Sequence, residues 1–212
     1  MRTALFTILI LVFTTNFLSQ NLSDQNTISK EILAKVSDNY QQYSSIKFTF
    51  TLNINSKDFN EEQEGFAIIK DDKFYYETAE RKVICDGKAV WTVIAEDDEC
   101  YIDNLSDLDN TINPSEIFTI WKTGFNYKYV KKEDNNHYIK MFPQNPDKSK
   151  YHTIIMKIDE NSNTIKQSTV KTKDGVSIKL NITDLKGNPV ISINTFTWAE
   201  SKYPTIDIID NR

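Results

Sequence analysis

The chain has 212 residues, 39% of them hydrophobic, and a formal net charge of -5. That length allows one domain with a sizeable core. Five Gly and five Pro exclude collagen-like and low-complexity chains, and the mild acidity removes any electrostatic case for nucleic acid or an anionic surface as partner.

Met1-Arg2 gives a positive start, and Leu5 to Phe13 is apolar except at Thr7. A small, polar stretch follows to Gln20, so residues 1–20 read as a secretory signal peptide cleaved near Ser19/Gln20. The rival reading is a retained anchor, for which the apolar run is short. Residues 21–212 then form a single domain exported to an oxidising compartment. Ile28, Ile32, Leu33, Val36, Tyr40 and Tyr43 recur at steps of three and four, which predicts an amphipathic helix. Asn26 and Thr27 are its expected caps, and Ser44-Ser45 its end.

Strands follow. Phe48, Phe50, Leu52 and Ile54 alternate with polar residues, giving one apolar and one wet face. Further strands are expected at Gly65 to Lys70, Lys73 to Tyr76, Lys82 to Cys85, Lys88 to Ala95 and Cys100 to Ile102. Asp86-Gly87 supplies a hairpin turn, with Cys85 expected to face Lys88 across it. After a polar loop, Asn113-Pro114-Ser115-Glu116 has the cap, Pro and Glu of a helix start. The body of that second helix, Ile117 to Trp121, is apolar nearly all round, and Gly124 can stop it. Strands resume at Asn126 to Lys131, His137 to Phe142, Tyr151 to Asp159, Ile165 to Thr172, Val176 to Asp184 and Val190 to Trp198. The tail from Ser201 is expected along a sheet edge. The pattern is mainly β with a few helices, about ten antiparallel strands in all.

Alternation is one-sided in most strands, which suits one curved sheet with an apolar face covered by short helices. Two interiors fit equally: a hollow beneath the helices, or a core filled by side chains. Cys85 and Cys100 fall out of register for a bridge and read as small buried hydrophobes. The sequence offers no recognisable catalytic or metal-binding motif. Its two histidines, His137 and His152, read as ordinary polar residues. The acidic runs Glu96 to Glu99 and Asp103 to Asp109 lack EF-hand spacing and read as solvated turns. No catalytic residue, metal site or cofactor is therefore expected.

One ordered set of segments carries a resemblance. Ile46-Lys47-Phe48-Thr49-Phe50 is followed by Gly65-Phe66-Ala67-Ile68-Ile69-Lys70 and Lys73-Phe74-Tyr75-Tyr76. Cys85-Asp86-Gly87-Lys88-Ala89-Val90-Trp91 comes next, then Asn113-Pro114-Ser115-Glu116-Ile117-Phe118, Phe196-Thr197-Trp198 and Ile206-Asp207. Together they resemble the LolA family of outer-membrane lipoprotein carriers. The resemblance implies an incomplete, half-open antiparallel β-barrel with a helical lid over a hydrophobic cavity. It implies a monomeric, non-enzymatic periplasmic shuttle for acylated lipoproteins, loaded by an inner-membrane Lol-type ABC transporter and unloaded to an outer-membrane acceptor. The implied cavity wall is Phe48, Phe50, Phe66, Ile68, Phe74, Tyr76 and Trp91. The implied lid is Ile32, Val36, Ile117, Phe118 and Trp121. Family members often carry an Arg-Pro pair after the Gly-led strand, with the Arg latching the lid. Here Lys70-Asp71-Asp72 stands there instead. The competing functions are a periplasmic sensor on the same half-barrel and a small β-fold hydrolase.

Overall fold

The computed structural model describes residues 8–108 and 118–212, with side chains from residue 24 onward except Leu108. One helix, α1 (Ile8–Gln41), precedes twelve strands. They are β1 (Ile46–Asn55), β2 (Asn60–Lys70), β3 (Lys73–Thr78), β4 (Arg81–Cys85), β5 (Ala89–Ile94) and β6 (Glu99–Asn104). After the undescribed stretch come β7 (Phe125–Glu133), β8 (Asn136–Pro143), β9 (Tyr151–Asp159), β10 (Thr164–Thr172), β11 (Ser177–Gly187) and β12 (Asp207–Asp210). All twelve form one sheet in the order β12-β6-β5-β4-β3-β2-β1-β11-β10-β9-β8-β7. Its outer strands, β12 and β7, do not pair with each other, so the barrel stays open.

The alternating segments form strands where expected, because each needs one apolar face covered. Four details differ. The helix runs through Asn26 and Thr27 rather than starting there. Ser29 Oγ donates to Gln25 O at 2.7 Å, a bond from one turn to the next inside a continuing helix. Cys85 pairs with Val90, not Lys88. The turn between them is longer because the Asp86 carboxylate accepts from the N–H groups of Lys88 (2.8 Å) and Ala89 (2.9 Å), while Gly87 takes φ 96°. Val190 to Trp198 forms no strand. β11 already has β1 on one side and β10 on the other, so no edge beside it remains to pair with. The chain instead crosses to the free edge of β6, where β12 pairs with it in parallel and breaks the all-antiparallel expectation. This edge location for the tail agrees with the sequence.

The second helix falls largely on residues 109–117, outside the described residues, and so does its Ile117. Its end is a 3-10 turn, Ile120–Lys122. The start of the expected leader and the side chains around its cleavage site also lie outside the described residues. No described helix is long and apolar enough to cross a membrane.

Candidate functional site: the inner face of an open barrel

Register assigns every strand residue to a face, since paired residues share one. Phe48 lies opposite Ala67, Phe50 opposite Gly65 and Leu52 opposite Gln63. On the other side of β1, Phe50 meets Ile182, Leu52 meets Leu180 and Ile54 meets Ile178. Ala67 pairs on with Tyr76, and Ile69 with Phe74. This inner face continues through Val170, Ile154, Met156, Ile139 and Met141 to Tyr127 and Tyr129.

At one end it is covered. Ile32, Leu33, Val36 and Tyr40 of α1 are buried in the main core, and so are Phe118 and Trp121. The Phe118 ring lies 4.5 Å from Tyr40 and 5.5 Å, edge-on, from Phe48. Beneath α1 the packing is dense: Val36, Ile139, Met141, Met156 and Ile158 are fully buried. Towards the far end of β1 the cover thins, and Leu52, Tyr76, Ile178 and Leu180 are half-buried. Gly65 is needed there, because an added Cβ would collide with Glu77 O and sit 2.9 Å from Phe50 Cζ.

The cover is fastened by polar contacts that the sequence did not reveal. The Tyr40 hydroxyl accepts the Ile165 N–H at 3.1 Å, beside a register shift in β10. Asn39 Nδ2 donates to Ser162 O (3.1 Å) and Asn163 O (3.3 Å) in the turn before β10. The Tyr127 hydroxyl donates to Trp121 O, tying the 3-10 turn to β7. These side chains hold the cover in a chain where Lys70-Asp71-Asp72 follows the Gly-led strand. Burial also pushes the Tyr40 and Tyr76 hydroxyls to higher pKa, with the Arg81 side chain at Tyr76 opposing. Both remain neutral donors or acceptors at physiological pH. Trp121 Nε1 is buried with no acceptor, a cost the closed cover carries.

A cavity of about 200 Å³ opens beside the cover, between the end of α1 and the strands below. Tyr40, Tyr43, Ser44, Ser45, Ile46, Ile69, Phe118, Thr119 and Lys122 are among its lining residues, so its wall is mixed polar and apolar.

Of the expected cavity wall, Phe48, Phe50, Phe74 and Tyr76 meet on the inner face. Phe66, Ile68 and Trp91 do not, which corrects the sequence reading. Phe66 pairs with Thr49, Ile68 with Lys47 and Trp91 with Ile84, all on the outer face. The misplacement has a physical reason. β2 and β5 are apolar on both faces, so residue type alone cannot assign a face. On β2 the outer-face Phe66 packs on Tyr75 and under Lys47, and on β5 the outer face is apolar because the C-terminal segment covers it. Trp198 stacks on Trp91 at 6.3 Å and Tyr203 stacks on Trp198 at 5.0 Å, over Val93, Cys100 and Ile102. Cys85 and Cys100 are both free and buried. Cys85 faces inward with Val90 and Cys100 outward with Val93, so the sheet itself separates them.

An open, largely antiparallel sheet whose apolar inner face is covered by one long helix defines an incomplete-barrel class. The family model described as "Outer membrane lipoprotein carrier protein LolA" matches residues 32–176, and the chain belongs to that family. Among solved structures, an uncharacterized conserved protein from Thermus thermophilus is 10% identical, with a TM-score of 0.55 over 86% of this chain and 99% of that one. A LolA superfamily protein from Nitrosomonas europaea is 10% identical (TM-score 0.43, 78% and 96% covered). The lipoprotein LppX of Mycobacterium tuberculosis is 12% identical (TM-score 0.45, 76% and 98% covered). No curated protein sequence matches the chain.

Proposed function

We propose that the chain is a periplasmic carrier of acylated lipoproteins, taking their acyl chains onto the inner face for passage from the inner to the outer membrane. It performs no chemistry on them. The supporting observation is the gradient along that face, dense under α1 and half-exposed at Leu52, Tyr76, Ile178 and Leu180. Phe48, Phe50, Phe74 and Tyr76 form the wall, and Ile32, Val36, Phe118 and Trp121 form the lid.

Size dictates the mechanism. Small-molecule sites run to roughly 300–1,000 Å³, more than the cavity of about 200 Å³ beside the lid. An acyl chain therefore enters only as the lid moves off Phe48 and Phe50. Each methylene transferred from water gains about 0.8 kcal/mol, whereas transfer from bilayer to carrier is nearly balanced. Direction then comes from the donor, an inner-membrane Lol-type ABC transporter, and from an outer-membrane acceptor with differential affinity. In this reading residues 1–20 are the export signal. The test is to purify the protein from its native periplasm and extract it for mass spectrometry. Recovery of acylated peptides at near-stoichiometric yield is expected, and recovery of none from a folded, extracted sample would overturn the reading.

A further inference from the structure

Between β11 and the outer-face aromatic stack the chain makes a loop that the carrier reading does not use. It lies beyond residues 32–176, the part matched by the family model. Val190 is 105% exposed and Ile193 is 92% exposed, against 51% or less for the other exposed large hydrophobics described. Single exposed aliphatic residues are ordinary on a surface, but two standing nearly free of the protein a few residues apart are not. Residues 187–199, Gly-Asn-Pro-Val-Ile-Ser-Ile-Asn-Thr-Phe-Thr-Trp-Ala, contain no Asp, Glu, Lys or Arg, in a chain that is 26% charged. The segment can leave water without dragging a charge with it.

Both ends of the loop are fixed. Asn188 N donates to Ser45 O at 2.8 Å, and Asn188 Oδ1 accepts from Ser44 N at 2.7 Å and Ser44 Oγ at 3.0 Å. At the far end Phe196 is buried, after a turn closed by Thr195 N donating to Ser192 O at 3.1 Å. The anchor has a location that matters. Ser44 and Ser45 line the cavity beside the lid, so the two aliphatic side chains project from next to that opening.

We propose that the Val190–Ile193 loop is a bilayer-contact site, pressing both side chains into the interfacial region of a phospholipid membrane and turning the opening towards it. A lipid surface fits better than a protein groove. Two side chains are far from the roughly 800 Å² per partner of a stable protein interface, whereas a bilayer demands no shape complementarity. The net charge of -5 makes the attraction apolar rather than electrostatic. The proposal rests on the carrier reading for its purpose but is tested separately from it.

The mature chain is sedimented with phosphatidylcholine vesicles at low and high salt. Weak binding that survives high salt is expected, falling about tenfold or more in the Val190→Asp/Ile193→Asp variant and about as far in Val190→Ser/Ile193→Ser. Phe59→Asp, in the β1–β2 turn, is expected to bind like the wild type. Circular dichroism should show all variants folded, since neither aliphatic side chain is packed. Absence of wild-type binding, equal binding by the aspartate variant, or an equal loss in Phe59→Asp overturns the proposal. Uptake of a fluorescent fatty acid in vesicle-free solution is measured alongside. The carrier reading predicts uptake by the wild type and by both loop variants, so its failure shows there, whatever the vesicles do.

Discussion

Leu52 and Trp91 are both half-buried apolar strand residues, yet the register puts them on opposite faces. Their substitutions should therefore separate. Leu52→Glu places a carboxylate among Leu180, Tyr76 and Ile178 at the thinly covered end, where solvent still reaches it. We expect a folded protein with fatty-acid uptake reduced about tenfold or more, measured by fluorescence titration. Trp91→Ala removes the platform under Trp198 and should cost about 2 kcal/mol in denaturant unfolding, below the 3–5 kcal/mol of fully buried aromatics. Its uptake should be unchanged. Equal loss of uptake in both variants would contradict the face assignment. His137 supplies a pH dependence. It faces inward near Tyr129, whose hydroxyl is 3.1 Å from His137 Nδ1, with Glu160 3.8 Å from Nε2. Burial holds the imidazole pKa below its ordinary value, against the pull of Glu160. The unfolded chain, titrating near about 6.5, then binds a proton before the folded one does. Stability from this group is complete above that value and is lost as pH falls through it towards the folded pKa. Thermal unfolding between pH 7 and 5 should show this decline, and His137→Gln should flatten it.

Among the elements, β1 to β11 were legible because strict alternation, Asp86-Gly87 and the other turn residues all point to the same pairing. Two kinds of information were not local. Face assignment in β2 and β5 depends on what covers the second face, and for β5 that cover is the C-terminal segment more than a hundred residues away. Strand formation also requires a free edge. Val190 to Trp198 has an acceptable pattern but no edge beside β11, whereas the short Asp207–Asp210 segment has the edge of β6. The latch through Tyr40 to Ile165 was illegible for a similar reason, since it depends on a shift of register in β10. The tail makes a measurable difference to Cys100. Its thiol is fully buried, and burial alone pushes its pKa up to about 11, so it should resist maleimide in the native protein. Truncation after Ala199 removes Tyr203, Ile206 and β12 and bares the outer cluster. Cys100 labelling should then accelerate by an order of magnitude or more, with Cys85 on the inner face as the unlabelled internal standard. Similar rates with and without the tail would show that it does not seal the outer face.

For the whole molecule the question is whether loading needs the lid to move. The sheet is open, but the inner face under α1 is filled by the protein's own Val36, Met141, Met156, Phe118 and Trp121. A static molecule could hold cargo only on the half-exposed strip from Leu52 to Leu180, and would leave most of each acyl chain in water. A mobile one exchanges the Phe118–Phe48 and Phe118–Tyr40 ring contacts for contacts with cargo, and releases Trp121 Nε1 from burial without a partner. Because apolar contacts are lost and regained, the opening is close to balanced, and small changes should shift it. Trp121→Phe removes the unsatisfied N–H and should favour the closed lid by about 1 kcal/mol, slowing fatty-acid uptake several-fold in stopped-flow fluorescence. A covalent strap asks the same question more harshly. Ser37 on α1 and Lys122 in the 3-10 turn line the same cavity. With Cys85→Ala and Cys100→Ala as background, Ser37→Cys/Lys122→Cys joined by a short bismaleimide should fix the lid over Phe48. Uptake should then fall below detection, while the unlinked double cysteine variant binds normally. Full uptake by the cross-linked protein would place the cargo entirely on the exposed strip and leave the lid no part in loading.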